Sequence, residues 1–453
     1  MTATMTPVTE TPITSYADRT DPFLFKHIRT WWLLLALFIM ADGGGMFVSQ
    51  GAHPGVGYGV GGTTVDTSSG ILLLMTGVTW VICAGLMVSH IGPTLQMMLR
   101  QKAVLSFGVL ALLSTLWSQS PHLTFRKAAI LCLYLLLAWF IAAYYPPRDQ
   151  IRLFLALGVI MALGSIVWAV FLPQYGVHAT GEWKGIFVQK NDFGGSIVYL
   201  FSGFPFSRDL GRHRLRNMAV LAILSLGLIL LSNSITSLIM FAILLAVRIL
   251  GPWITRARRE AIPLIVYCAM IGIFMIPLFL VVVLPLMGRD LTFTGRTHSW
   301  ALVFPMVLQH LWLGYGYQGF FVNALGEPDG IIVGSKMWGS AFSNVYLFSV
   351  DNGYIYILLQ EGLVGLAALL TLLVVCARDF LKLFRGFSVP IEAYWYAGVI
   401  FATFVGGVTE NAFWAPNKID VLMFPVMCAG LANLARESIS SSRQLVTFSG
   451  KPS

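Results

Sequence analysis

Long apolar runs separated by short polar breaks make up most of this 453-residue chain. Several approach the roughly 20 residues a helix needs to cross a bilayer core. Twelve are readable, at 31–48, 70–90, 103–117, 128–144, 151–173, 193–206, 217–231, 234–250, 262–286, 352–376, 393–408 and 418–434. None alternates polar and apolar positions over about ten residues, as a membrane β-strand would. The pattern predicts an all-α polytopic membrane protein with one large interruption, 287–351, between the ninth and tenth segments. Inside it, 296–310 reads as a helix beginning near Thr294, with Pro305 predicting a kink or break. Gly314, Gly316 and Gly319 then predict turns, and an irregular stretch, 322–350, follows. The expected division is a tail over 1–30, nine spans over 31–286, the loop, three spans over 352–434 and a second tail over 435–453.

Composition sharpens this. With 57% hydrophobic and 11% charged residues and a mean hydropathy of +0.77, a soluble globular domain is excluded. The net charge of +9 does not point to nucleic acid, because the basic residues follow topology. Twelve spans threaded from a cytoplasmic start leave 21 of the 29 Lys and Arg on one face, densest at Arg208–Arg216 and Arg248–Arg259. Positive charge marks the cytoplasmic side. Both termini are therefore expected inside and the 287–351 loop outside. The first 22 residues lack a cleavable signal pattern, so the first span reads as an uncleaved anchor. Trp31, Trp32, Trp253, Tyr394, Trp395 and Tyr396 fall near span ends, where interfacial aromatics are expected. The five cysteines lie in or beside spans without a C-x-x-C, which supports neither a disulfide framework nor a zinc site. Ten glycines over 42–70 read as a flexible outer hairpin, and no internal repeat signals an inverted-repeat transporter.

Candidate chemistry lies on the outer face. Its cations are Arg126, Lys127, Lys184, Lys190, Arg289, Arg296, Lys336 and Lys418, each placed against the charge bias. A diphosphate gives such a set a role, since Arg binds phosphate oxygens bidentately. Arg296 stands out in a helix N-terminal turn, where backbone N–H groups also favour an anion. The outer acids are Glu182, Asp192, Asp290, Glu327, Asp329, Asp351 and Glu410. Asp351, at a helix entrance, admits two readings: a helix cap, or a general base at the membrane boundary. His298 and His310 read as structural or solvent-exposed. No cluster has metal-ligand spacing and no Asp-x-Asp occurs, so neither a metal nor another cofactor is expected.

These segments resemble a known family. TGRTHSW (294–300), HLWLGYGYQGFF (310–321) and DNGYIYILLQEGLVGL (351–366) are similar to the Wzy/WaaL superfamily of O-antigen polymerases, O-antigen ligases and ExoQ-like exopolysaccharide polymerases. LWSQSPHLTFRKAA (116–129), GIFVQKNDFGG (185–195) and SNSITSL (232–238) match further segments in the same order. The resemblance implies a GT-C-like fold and metal-independent transfer of undecaprenyl-diphosphate-linked glycans at the periplasmic face of a bacterial inner membrane. It implies catalytic roles for Arg296 and Asp351, and diphosphate contacts from Arg126, Lys190 and Arg289. Asn191, His310, Asn352, Tyr354 and Glu410 would support glycan or loop. Ligases typically show His-Asn where this chain has Asp351-Asn352, a pattern that resembles the polymerase branch, and many members have His where Gln189 stands; both departures weaken the ligase reading. A repeat-unit polymerase is the expected function, with a ligase as the near alternative and a lipid-linked-sugar flippase as the alternative of another class. Expected partners are the lipid-linked glycans and the bilayer, with a chain-length regulator and a flippase beside them.

Overall fold

The computed structural model describes residues 23–43, 70–88, 90–178, 180–187, 189–208, 210–257, 296–320, 350–383, 389–411 and 418–449. Among them there is no named strand, only a single bridge between Val177 and Trp183. The helices are α1 Phe23–Phe38, α2 Gly70–Val88, α3 Ile91–Arg100, α4 Lys102–Leu113, α5 Pro121–Tyr144, α6 Pro147–Phe171 and α7 Lys190–Phe201. They continue as α8 Arg214–Ser232, α9 Ile235–Ala257, α10 Arg296–Gln309, α11 Gly353–Leu383, α12 Ile391–Gly406 and α13 Ile419–Ser449. Eleven of the twelve expected segments coincide with a helix; the other, 262–286, lies outside the described residues.

Length separates these helices. Among the described residues, six helices, α5, α6, α8, α9, α11 and α13, are long and apolar enough to cross a membrane alone. A seventh arises if α2 and α3, bent by 95° at their junction, form one span. The helices of α1, α4 and α12 are shorter, and α7 stops after 12 residues before the 3-10 turn Phe204–Phe206. Burial orders the bundle: 89% of the apolar window of α13 is enclosed by protein, against 17% for α9 and 22% for α8. The core therefore wraps α13, and α8 and α9 turn apolar side chains outward.

Polar contacts tie the inner helices where no water competes. The Tyr134 hydroxyl donates to the Met40 carbonyl (2.7 Å), Trp395 Nε1 to Ser202 Oγ (2.8 Å) and Tyr396 Oη to Gln150 Oε1 (2.9 Å). These bonds correct one expectation. Trp31, Trp32 and Trp253 are exposed, as interfacial aromatics should be, but Tyr394, Trp395 and Tyr396 are buried inside the bundle. The polar tips of Trp395 and Tyr396 find partners on neighbouring helices rather than at a lipid headgroup.

The bundle has two chemically different ends. At one, Arg436 donates to the Arg100 carbonyl, Arg248 Nε to the Pro205 carbonyl (2.7 Å), and Arg148 lies 3.7 Å from Glu392. At the other, the exit from α1, the starts of α7, α9 and α13 and the end of α12 surround one cleft.

Candidate functional site

The parts of the expected loop that are described, 296–320 and 350–351, are built into the bundle. Of the kink or break expected at Pro305, the break is absent: α10 runs through it. The break occurs instead in α11, where Gly362 adopts φ 63°, ψ −156°. In an unbroken helix, the Leu359 and Gln360 carbonyls would accept the N–H groups of Leu363 and Val364. Here Tyr315 N–H takes the Leu359 carbonyl (2.9 Å) and Gly316 N–H takes that of Gln360 (2.8 Å). The displaced donors are satisfied by the same loop: Leu363 N–H bonds to the Leu311 carbonyl (2.8 Å) and Val364 N–H to that of Trp312 (3.3 Å). The segment 310–320 is thus spliced into the hydrogen-bond ladder of α11, which answers the need of every buried backbone group for a partner. Close approach requires glycine on both sides. A Cβ on Gly362 would strike the Trp312 backbone, and one on Gly314 (φ +63°) that of Gln360.

A third segment clamps this junction. Trp117 Nε1 donates to the Leu313 carbonyl (2.9 Å), Tyr317 N–H to Ser114 Oγ (2.9 Å) and Gln119 N–H to the Tyr315 carbonyl (3.4 Å). Trp300 Nε1 on α10 donates to the Val350 carbonyl (2.9 Å), and the Tyr356 hydroxyl donates to Gln318 Oε1 (3.0 Å). Residues 296–300, 310–320 and 350–364 and the segment 114–124, far apart in sequence, meet here.

The start of α11 resolves the Asp-Asn pair. Asn352, not Asp351, caps the helix: its Oδ1 accepts Tyr354 N–H and Ile355 N–H, both at 3.0 Å. Its Nδ2 donates to the Val408 carbonyl (2.9 Å), beside a Gly353 N–H to Gly407 carbonyl bond of 2.7 Å. Asp351 is half-buried with φ +47°, the left-handed conformation that Asp and Asn tolerate better than most residues. Tyr354 is a strut, its hydroxyl donating to the Phe404 carbonyl (2.7 Å).

Beyond Val408 the chain enters the cleft, which opens to the outside. Its polar lining includes Asn191, Asp192, Glu410, Asn411, Lys418 and Asp420; Phe187 and Tyr199 add aromatic wall. Lys418 Nζ is 2.7 Å from Asp192 Oδ1. Asp420 Oδ1 accepts Val421 N–H (2.9 Å), and the Thr236 and Thr409 hydroxyls meet at 2.7 Å. Among the described residues, no group of three or more His, Cys, Asp or Glu is arranged to hold a metal ion.

Of the residues singled out from sequence, Asn191, Asp192, Glu410 and Lys418 line this cleft. Lys190 opens α7 beside it, but its ammonium pairs with Glu182 Oε1 at 2.7 Å. Lys190 and the Thr180 hydroxyl hold the Glu182 carboxyl down to about 2. Arg126 is half-buried on α5, two residues beyond Thr124, whose hydroxyl meets Ser118 (2.6 Å) at the loop junction. His310 is exposed and stands over Tyr315, ring centroids 4.3 Å apart. Arg296 opens α10, and Arg289 lies outside the described residues. Sequence reading missed Asp420 and, though it placed Asp192 and Lys418 on the outer face, the pairing between them. Asp420 carried a usable signal, since an ionisable residue in an expected span is a functional candidate by default. The pair, 226 positions apart in sequence, carried none.

A family model described as O-Antigen ligase matches residues 220–370. The exopolysaccharide production protein ExoQ of Rhizobium meliloti (strain 1021) is 24% identical over 290 residues, 60% of this chain and 63% of that protein. The chain thus matches less than two thirds of that relative's length. Fold and matches together define a multi-pass helical membrane protein related to polymerase- and ligase-type glycosyl-transfer enzymes. The matches support the Wzy/WaaL superfamily, the group its motifs resemble.

Proposed function

We propose that this protein is a polymerase that joins polyprenyl-diphosphate-linked oligosaccharide repeats into polysaccharide at the outer face of a bacterial inner membrane. A hydroxyl oxygen of one repeat attacks the anomeric carbon of another. The new C–O bond replaces the one to diphosphate, the hydroxyl proton passes to a base, and the polyprenyl diphosphate leaves. Arg296, Arg126 and Arg289 are assigned to the departing diphosphate, where fixed cations in a water-poor site stabilise growing charge. Lys190, matched by Glu182, is assigned a lesser share. Asp351 is assigned as the base. The reaction needs a supplier that brings lipid-linked repeats to the outer face, and a chain-length regulator is a natural neighbour.

The observation that carries this reading is the convergence of the motif segments on one junction beside an open cleft. Arg296→Ala is expected to insert normally while single lipid-linked repeats accumulate. Normal polymer from that variant removes the assignment. The second reading, a ligase moving finished glycan onto lipid A core, is favoured by the description of the matching family model. Purified lipid-linked repeats supplied alone separate the two: chain growth without another acceptor marks a polymerase.

A further inference from the structure

We infer that the segment 310–320 is a detachable strap: it leaves the break in α11 during the working cycle, and α11 then closes its own hydrogen-bond ladder. The backbone allows this exchange without stranding any group. Docked, the strap occupies the Leu359 and Gln360 carbonyls and the Leu363 and Val364 N–H groups. Those four are the two donor–acceptor pairs of an unbroken helix, Leu363 N–H to the Leu359 carbonyl and Val364 N–H to that of Gln360. Released, α11 joins them to each other once Gly362 leaves φ 63°, ψ −156°, a change of backbone open to glycine. The strap's own groups, the Leu311 and Trp312 carbonyls and the Tyr315 and Gly316 N–H groups, pass to water. Exposed His310 and Trp312 put the strap at the surface, within reach of it.

The second observation is that the docked junction falls short of its full bonding. Thr115 Oγ1, Gln318 Nε2 and Gln360 Nε2 are buried there and make no hydrogen bond. The Tyr356 hydroxyl lies beside both glutamines, yet it donates to Gln318 Oε1. Each unmet atom gives up water without replacement. Gln318 also holds φ +56°, a left-handed conformation that costs a residue with a side chain. Strain of this kind gathers at switch regions, where it favours a second state. The use of that state rests on the glycosyl-transfer reading above. A substrate with a lipid at one end and a glycan at the other enters the junction from the side, with the strap off.

The test uses the full chain in nanodiscs and hydrogen–deuterium exchange read residue by residue. On release, the Tyr315 and Gly316 amides lose their partners, whereas those of Leu363 and Val364 trade one partner for another. The first pair is expected to be protected about tenfold less than the second, the effect of about one net hydrogen bond. Equal protection of the two pairs overturns the inference, because the junction then opens as a whole or not at all. A covalent pin supplies the second arm. A Cβ on Gly319 would lie 2.6 Å from Ser118 Oγ, so Ser118→Cys with Gly319→Cys, in a background without native cysteines, brings two thiols within bridging reach. Oxidised with diamide, the pinned protein is expected to lose elongation of lipid-linked repeats and to regain it with dithiothreitol. Full elongation by the pinned form overturns the inference. If wild type elongates nothing while the two amide pairs differ as expected, the polymerase reading falls and the strap stands.

Discussion

At the scale of single residues, the Asp351-Asn352 pair separates structure from chemistry. The dipeptide was legible as a helix entrance; which of its members caps was not, because Asp and Asn are alike as caps. The acceptor from Tyr354 and Ile355 is Asn352, which leaves Asp351 without that structural duty. Asn352→Ala is expected to lower stability by about 1 kcal/mol through the lost cap, read as a lower thermal midpoint. Asp351→Asn tolerates the left-handed backbone, so the fold should be unchanged, while turnover falls by about 10²–10⁴-fold if Asp351 is the base. Wild-type turnover in that variant moves the base elsewhere. Glu182 gives a pH prediction. Its carboxyl is held down to about 2 from 4.5, so its pairing with Lys190 is fully present above 4.5. That contribution fades as pH falls towards 2. The stability gap between wild type and Glu182→Gln should therefore shrink across this window, and a gap that is constant with pH contradicts the pairing.

At the scale of elements, α11 shows what one sequence conceals. QEGLVGL reads as part of an uninterrupted apolar span, and a lone glycine is tolerated inside a helix. The break at Gly362 exists because the loop 310–320 supplies bonds to replace the helical ones, and that partner is about 50 residues away. The three loop glycines were legible as turns; their docking site was not. Pro305 is the converse, since α10 continues past it despite the lost N–H. Gly362→Ala should destabilise by at least about 1–3 kcal/mol from backbone strain alone, with the clash against Trp312 added. Gly227→Ala is the control, in α8 with nothing within 4 Å of the added methyl. Thermal unfolding in detergent that ranks the two variants equally is incompatible with a spliced loop.

At the scale of the molecule, helix direction is a check on topology that charge counting did not use. The cleft is bordered by the exit from α1, the starts of α7, α9 and α13, and the end of α12. If these are the first, sixth, eighth, twelfth and eleventh spans of a chain that starts inside, all five ends lie outside. The Arg100, Arg148, Arg248 and Arg436 contacts gather at the opposite end, in keeping with the positive-inside rule. Two exposed positions then carry the prediction, Gln174 between α6 and α7 and Arg212 between α7 and α8. Only α7 separates them, and α7 has just 12 residues, short of a full crossing. In a background without native cysteines, Gln174→Cys should react with a membrane-impermeant maleimide on intact spheroplasts. Arg212→Cys should react only after permeabilisation. Labelling of both from the same side would make α7 re-entrant, shift the parity of every later helix and carry the start of α13 away from the face that bears the exit from α1. Because the starts of α7 and α9 border the same cleft, that outcome would have to be reconciled by a second half-span between them. A third reporter at exposed Arg378, expected to label only after permeabilisation, decides whether the shift persists through α11.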